Sequence, residues 1–306
     1  MSDEGRRRHY GVFYGIDPLP DEGLPLLAVH GNCQAEALRV AVGTSGRVSG
    51  VRLPPVHELV ESDLPHLWRL LERLDVLVAQ PVGADYHGMP LGTAQVATRL
   101  PEGARVVRVA NYFSEALYPE QVLVRHEDEE VVDPPVVPYH DVRRLGLAAG
   151  WSGPATLPAE AVRQVAADSG AELRRREQAE GTLPVSDLVA EAGARAGWTV
   201  DHPGNEVLLG LAQRVLDDIG ADTPRARVSD PGRVLLSSVR TPLRAEVLQA
   251  LGLPGEPREH WLVDGEEVTD EEVAQAHLEF YARHPRVVEV GLAKKGARLA
   301  ALGWRP

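Results

Sequence analysis

Residues 24–43 read LPLLAVHGNCQAEALRVAVG, and the fold turns on how this stretch is parsed. The run LPLLAVH (24–30) is apolar throughout and bounded by Pro and Gly, which predicts a fully buried strand. CQAEALRVAVG (33–43) follows with its apolar residues at helical spacing. Gly31 permits a sharp turn between the two. His30-Gly31-Asn32-Cys33-Gln34 therefore forms a strand-to-helix turn, with Cys33 near the helix N-terminus. There the macrodipole and unbonded N–H groups favour a thiolate and can hold an oxyanion or a phosphate. The alternative is a small cysteine that only fills core space. Asn32 and Gln34 weigh against it, because a purely structural turn does not need two amides around a thiol.

The pattern repeats outward from this unit. RVSGVRL (47–53) predicts a second strand, LPHLWRLLERL (64–74) an amphipathic helix, and DVLVAQPV (75–82) and ARVVRVANYF (104–113) two further strands. Strands alternating with helices predict an α/β fold with a parallel sheet covered on both faces. Ligands then bind beyond the carboxyl ends of the strands. HGNCQ, AQPVGADYHG and ANYF each follow a strand, so Asn32, Gln34, Gln80, Gly83, Tyr86, His87, Asn111 and Tyr112 are candidates for contacts to substrate or an oxyanion. From about 155 the pattern turns mostly helical, with helices over 158–180, 185–197 and 205–220. RTPLRAEVLQALGLP (240–254) and TDEEVAQAHLEFYARHP (269–285) add two more, the second with Thr269 as N-cap before an acidic first turn. The expected division is an α/β domain over 1–150 and a mostly helical part over 151–306.

Composition narrows the function. Lys plus Arg (32) against Asp plus Glu (45) gives a net charge of −13, a field that repels nucleic acid and anionic lipid. One cysteine rules out an internal disulfide. Neither a secretory h-region nor a run of about 18 apolar residues is present, so a cytoplasmic protein without membrane insertion is expected. A GxSxG elbow, a Walker loop, GxGxxG, HExxH and CxxC are all missing, and no metal is expected. The acidic run His126–Glu130 reads as a solvated loop, lacking the ligand spacing and turn glycine of a calcium loop.

A thiol nucleophile needs a base, and the chain has 11 histidines. His30 points along its strand, away from Cys33. His140, in Pro138-Tyr139-His140-Asp141, has a carboxylate beside it. His202, in Asp201-His202-Pro203-Gly204-Asn205, opens a helix from a loop that can aim its ring at a sheet edge. His87, in Asp85-Tyr86-His87-Gly88, is placed alike.

Together HGNCQAEALR, DVLVAQPV with DYHGMPLGT, VVRVANYFSEALYP, PYHD and DHPGNEVLLGLAQRVL resemble the WcbI family of capsular polysaccharide biosynthesis proteins. The resemblance runs from about 25 to about 222, with Gly-Asn-Cys-Gln its most specific block and His-Pro-x-Asn in support. It implies a coenzyme A-binding acetyltransferase, passing an acyl group from a thioester to a hydroxyl or amine of a sugar or small-molecule acceptor. Carried over by position, Cys33, Tyr139, His140, Asp141, His202 and Asn205 fall on family blocks. The order of sites is also similar to that of SGNH hydrolases, within a flavodoxin-like or SGNH-like sheet: Cys33, then Gly83 or Gly88, Asn111 and His202. That pattern has serine first and an aspartate three residues before the histidine, where this chain has Thr199. The orienting carboxylate is then Asp201 or Asp141.

The implied mechanism is ping-pong. His202 or His140 deprotonates Cys33, the thiolate attacks the acyl-CoA carbonyl, and the N–H of Cys33 or Gln34 with the Asn111 amide holds the oxyanion. The rivals are a thiol esterase or deacetylase passing the acyl group to water, and a binding protein whose turn merely holds a phosphate or carbonyl. Residues after Arg225 have no counterpart in the resemblance, and are expected to bind the acceptor, cover the site or mediate a homodimer.

Overall fold

β1 (Leu26–His30) is buried at all of its positions and lies inside a parallel sheet of order β2-β1-β3-β4. Its partners are β2 (Ser49–Val51) on one side and β3 (Val76–Ala79) on the other, with β4 (Arg105–Arg108) beyond β3. Leu27 pairs with Val76 and His30 with Ala79, so β1 and β3 end level. The computed structural model describes residues 2–124, 133–220 and 226–306. The acidic run His126–Glu130 lies outside the described residues.

The chain forms two compact units, Met1–Asn111 with Arg174–Ala190 and Gly204–Leu235, and Tyr112–Leu173 with Glu191–Pro203 and Leu236–Pro306. The boundary expected near 150 falls inside the second, because the chain leaves each unit and returns to it. Helix α7 (Ala159–Glu180) starts in the second unit, and its residues from Arg174 belong to the first.

In the first unit the sheet alternation sorts the strand residues onto two faces. Leu26 and Ala28 of β1 and Leu77 and Ala79 of β3 join one core cluster with Leu67, Leu70 and Leu71 of α4 (Leu64–Leu71). Phe13 and Tyr14 of α2 (Gly11–Tyr14), which follows α1 (Asp3–His9), close that core. Helix α3 (Gln34–Gly43) packs on α9 (Asn205–Asp218) and also touches β1 and β2. Complete burial of a leucine such as Leu71 or Leu77 contributes roughly 1.5–3 kcal/mol. Two shorter helices, α5 (Thr93–Ala97) and α8 (Ser186–Ala192) as far as Ala190, complete the unit. The strand expected over 104–113 stops at Arg108, and Val109 makes only a single parallel bridge to Leu183. The helix expected to run to 197 stops because Gly193 takes φ +54°.

The second unit is mostly helical, with small sheets added. β5 (Gln121–Val122) pairs antiparallel with β6 (His140–Asp141), which leads into α6 (Val142–Ala148). β7 (Val239–Arg240), β8 (Trp261–Val263) and β9 (Glu266–Val268) form an antiparallel sheet, with α10 (Ala245–Leu251) between the first two. α6 lies against α11 (Asp270–Arg283) and α12 (Pro285–Ala301), and Leu145, Phe280, Tyr281 and Leu299 share a buried cluster. The Thr269 hydroxyl caps α11 by accepting from Glu272 N at 3.1 Å, and Glu272 accepts from Thr269 N at 2.9 Å. Among the described residues no helix is long and apolar enough to cross a membrane.

Candidate active site

Gln80, the first residue past β3, is the bracket that shapes the turn after β1. Its N–H donates to the His30 carbonyl at 2.9 Å, and its Oε1 accepts from Asn32 N at 2.8 Å. Its Nε2 donates to Gln34 Oε1 at 3.1 Å. Thr93 holds Gln80 in turn, donating to its carbonyl at 2.6 Å and accepting from Val82 N at 2.9 Å. Gly31 is required by this closeness rather than by its own torsions: a Cβ there would lie 2.7 Å from Gln80 Cδ.

Asn32 then caps α3. Its Oδ1 accepts from Gln34 N at 2.9 Å and its carbonyl accepts from Ala35 N at 3.0 Å. The Gln34 N–H, expected to serve an oxyanion, is engaged by this cap. Asn32 Nδ2 reaches Asn111 Oδ1 at 3.5 Å, and Asn111 Nδ2 reaches the Pro81 carbonyl at 3.5 Å. The ends of β1, β3 and β4 thus bring Asn32, Gln34, Gln80 and Asn111 together around half-buried Cys33. All four are neutral amides, and none of them brings a charge to the N-terminal end of α3. Glu36 in the first turn is matched by Arg39 at 2.7 Å and Arg52 at 3.2 Å.

Neighbouring candidates are distributed as follows. His30 is buried, its Nε2 is 2.9 Å from the Leu91 carbonyl, and burial lowers its pKa. Tyr86 and His87 stack at 4.3 Å in a loop where Asp85 and His87 take φ 52° and Gly88 φ 74°. Gly83 is exposed in the same loop. Asn205 ties the start of α9 to the segment that follows that helix. Its Nδ2 donates to the Arg233 carbonyl and its Oδ1 accepts from Leu235 N, both at 2.9 Å. A cavity of about 200 Å³ lies beside Asn111, lined by Pro81, Arg176 and Thr182 among others. The Thr182 hydroxyl there is buried without a partner.

His202, Tyr139, His140 and Asp141 belong to the second unit, as does Tyr112, whose phenol is buried and has its pKa raised by that burial. Segment 197–203 is a closed loop in which Trp198 N donates to the His202 carbonyl at 2.8 Å. Thr199, where the SGNH pattern has aspartate, accepts from His202 N at 3.1 Å and donates to Asp201 Oδ1 at 2.9 Å. Tyr139 donates to the same Asp201 oxygen at 2.8 Å. Burial lowers the His202 pKa, opposed by Asp201 and by a hydrogen bond to the Leu236 backbone. Leu236 takes φ 52°, uncommon for a residue with a Cβ. Leu236 escapes sequence reasoning, because a main-chain group leaves no signature in residue type.

His140 is buried, its Nδ1 is 2.8 Å from the Tyr281 hydroxyl, and burial pushes its pKa down to about 4. Asp141 is committed elsewhere. It caps α6 through Arg143 N at 2.8 Å and pairs with the Arg143 guanidinium at 2.6 Å. Burial would lift its carboxyl, but Arg143 and Arg144 hold it well below the usual range. Among the described residues no cluster of His, Cys, Asp and Glu could hold a metal ion.

The family model described as polysaccharide biosynthesis enzyme WcbI matches residues 26–224, well over half of the chain. The chain belongs to the WcbI family. The family match takes in the Cys33 turn, Gln80, Asn111, Tyr139–Asp141 and His202, and ends before the last 82 residues. A solved WcbI structure is similar in fold, with a TM-score of 0.75 at 17% identity, covering 91% of this chain and 98% of the other. That WcbI is described as a polysaccharide biosynthesis enzyme, in its native form without a disulfide bond between coenzyme A and one of its cysteines. No curated protein matches the chain.

Proposed function

We propose that this WcbI-family enzyme is a coenzyme A-dependent acyltransferase that carries the acyl group on Cys33. The observation that carries the proposal is the placement of the chain's single cysteine at the end of a buried parallel strand and the start of α3. Support comes from the WcbI structure described by reference to a disulfide between coenzyme A and a cysteine. Such a bond requires the two sulfurs to meet, and in this chain only Cys33 has a thiol to offer.

The Cys33 thiol adds to the carbonyl of the acyl-CoA thioester, the carbon–sulfur bond to coenzyme A breaks, and the thiol proton leaves with the coenzyme thiol. The acceptor hydroxyl or amine then takes the acyl group and returns a proton to Cys33. Exchange between thioesters is close to isoenergetic, which suits a cysteine carrier. The 200 Å³ cavity beside Asn111 has room for a pantetheine arm, with Thr182 Oγ1 to meet an amide. Glu177 and Glu180 in its wall disfavour a diphosphate there.

Acetyl-CoA should stabilise the protein thermally and leave an acetyl group on the Cys33 peptide, detected by mass spectrometry. Cys33→Ala must abolish the label. An equally labelled alanine variant overturns the proposal.

A further inference from the structure

The second unit contains a buried ionic network around a cavity, and its hydrogen bonds can be followed oxygen by oxygen. Asp141 receives Arg143 on both oxygens. Asp270 receives Arg144 at 2.5 Å and Trp261 Nε1 at 2.9 Å on Oδ1, and Arg244 at 3.3 Å on Oδ2. Glu120 Oε1 accepts from Arg244 Nε at 2.5 Å. Glu120 Oε2 is buried without a partner, and so is His140 Nε2. These residues are only 6% and 2% exposed, and both line one cavity with room for a single water-sized group, about 10 Å³. Buried polar atoms are nearly always paired, so two orphans on residues that line one cavity call for a partner there, a water or a ligand group.

Pro242, Arg244 and Asp270 also border a wider groove of about 360 Å³, formed by Pro242–Glu246 and Pro257–His260. That volume is of small-molecule size. A third orphan, His260 Nδ1, belongs to the groove wall. The chemistry of the inner group follows from its partners. Glu120 Oε2 needs a donor, and His140 Nε2 needs a donor or an acceptor according to how its ring shares a proton with Tyr281. A hydroxyl fits the second case, giving its single proton to Glu120 and accepting from His140 Nε2–H, with His140 Nδ1 accepting from the Tyr281 hydroxyl. A phosphate or carboxylate offers Glu120 no proton and is repelled by it. The carboxylates of Glu120, Asp141 and Asp270 are offset by the guanidiniums of Arg143, Arg144 and Arg244, which leaves an isolated cation no advantage.

We propose that this groove is a saccharide-binding site in which one sugar hydroxyl enters the inner cavity between Glu120 and His140 while the ring lies against Pro242–Glu246 and Pro257–His260. The sugar, as opposed to another alcohol, rests on the family's description as a polysaccharide biosynthesis enzyme together with the reading of the chain as an acyltransferase. The site itself rests on the three orphaned atoms. It gives residues beyond the family match a role, since Arg244, His260 and Asp270 all lie there.

The test is saturation-transfer NMR and calorimetry with methyl glycosides of common hexoses and hexuronic acids. At least one should bind saturably, and Glu120→Gln, which points an amide N–H at the cavity, should weaken it by about tenfold. His260→Ala, at the rim and outside the ionic network, should weaken it at an unchanged melting temperature, which guards against a misfolded Glu120 variant. No saturable binding to the wild type, or equal affinity in both variants, overturns the site and reduces the cavity to a structural water. Thermal stabilisation by coenzyme A is measured on the same samples. Its loss without loss of glycoside binding refutes the coenzyme reading alone, and the reverse refutes this site alone.

Discussion

Gly31→Ala tests the bracket on which the Cys33 turn depends. The substitution asks nothing unusual of the backbone, since Gly31 is not among the positive-φ residues. The obstacle is the Gln80 side chain, whose Cγ and Cδ lie 2.9 and 2.7 Å from where the new Cβ would be. Gln80 must retreat, and its bonds to Asn32 N and Gln34 Oε1 go with it. Two hydrogen bonds, one buried and one partly buried, at about 1 kcal/mol each, with about 1 kcal/mol of overpacking, predict a loss of about 3 kcal/mol. Urea denaturation of Gly31→Ala, Gln80→Ala and the double variant forms a cycle. In the Gln80→Ala background the alanine should cost less than about 1 kcal/mol, because the clash is gone. A cost that is the same in both backgrounds, or a single variant as stable as wild type, would refute the bracket.

Protonation of the second unit's core gives a pH prediction. Burial holds His140 and His277 at pKa about 4, the second also beside Arg144, against 6.5 in the unfolded chain. Above pH 6.5 both are neutral in either state; as pH falls, the unfolded chain takes up protons that the fold refuses, so stability declines toward pH 4. From pH 6.5 to 5, above most carboxylate titration, one such imidazole lowers stability by about 2 kcal/mol, and a flat denaturation midpoint across that interval would contradict it. Thr199→Val leaves the His202 N–H without its 3.1 Å acceptor and should cost about 1–3 kcal/mol by thermal or urea melting, with Thr199→Ser largely restoring it. Equal stability of the valine and serine variants would show that the hydroxyl does not hold the loop.

The first unit is the more legible because its elements announce themselves by periodicity. The apolar run 24–30 and the spacing over 205–220 fall within two residues of β1 and α9. Thr269 is found because capping is a local property of residue type. The β8–β9 hairpin has a local signal too, since its turn is the Asp264-Gly265 pair, with φ of 50° and 91°. Its short flanking strands are easily lost beside the helical patterns around them.

The site divides along the same line. Cys33, Gln80 and Asn111 follow strands, so their gathering at one edge follows from topology. The pairing of Glu120 with Arg244 joins residues 124 positions apart, and no local pattern encodes it. Adjacency to His140 in sequence suggests an orienting role for Asp141, but the β6 backbone turns directly into α6 and uses that carboxylate as a cap.

The most direct measurement of the central claim is isotope exchange between labelled coenzyme A and unlabelled acetyl-CoA with no acceptor present. An acyl group carried on Cys33 predicts label appearing in acetyl-CoA, and its disappearance in Cys33→Ala. Exchange that persists in the alanine variant, or its absence from a wild type that still binds acetyl-CoA, would contradict the acyl-cysteine.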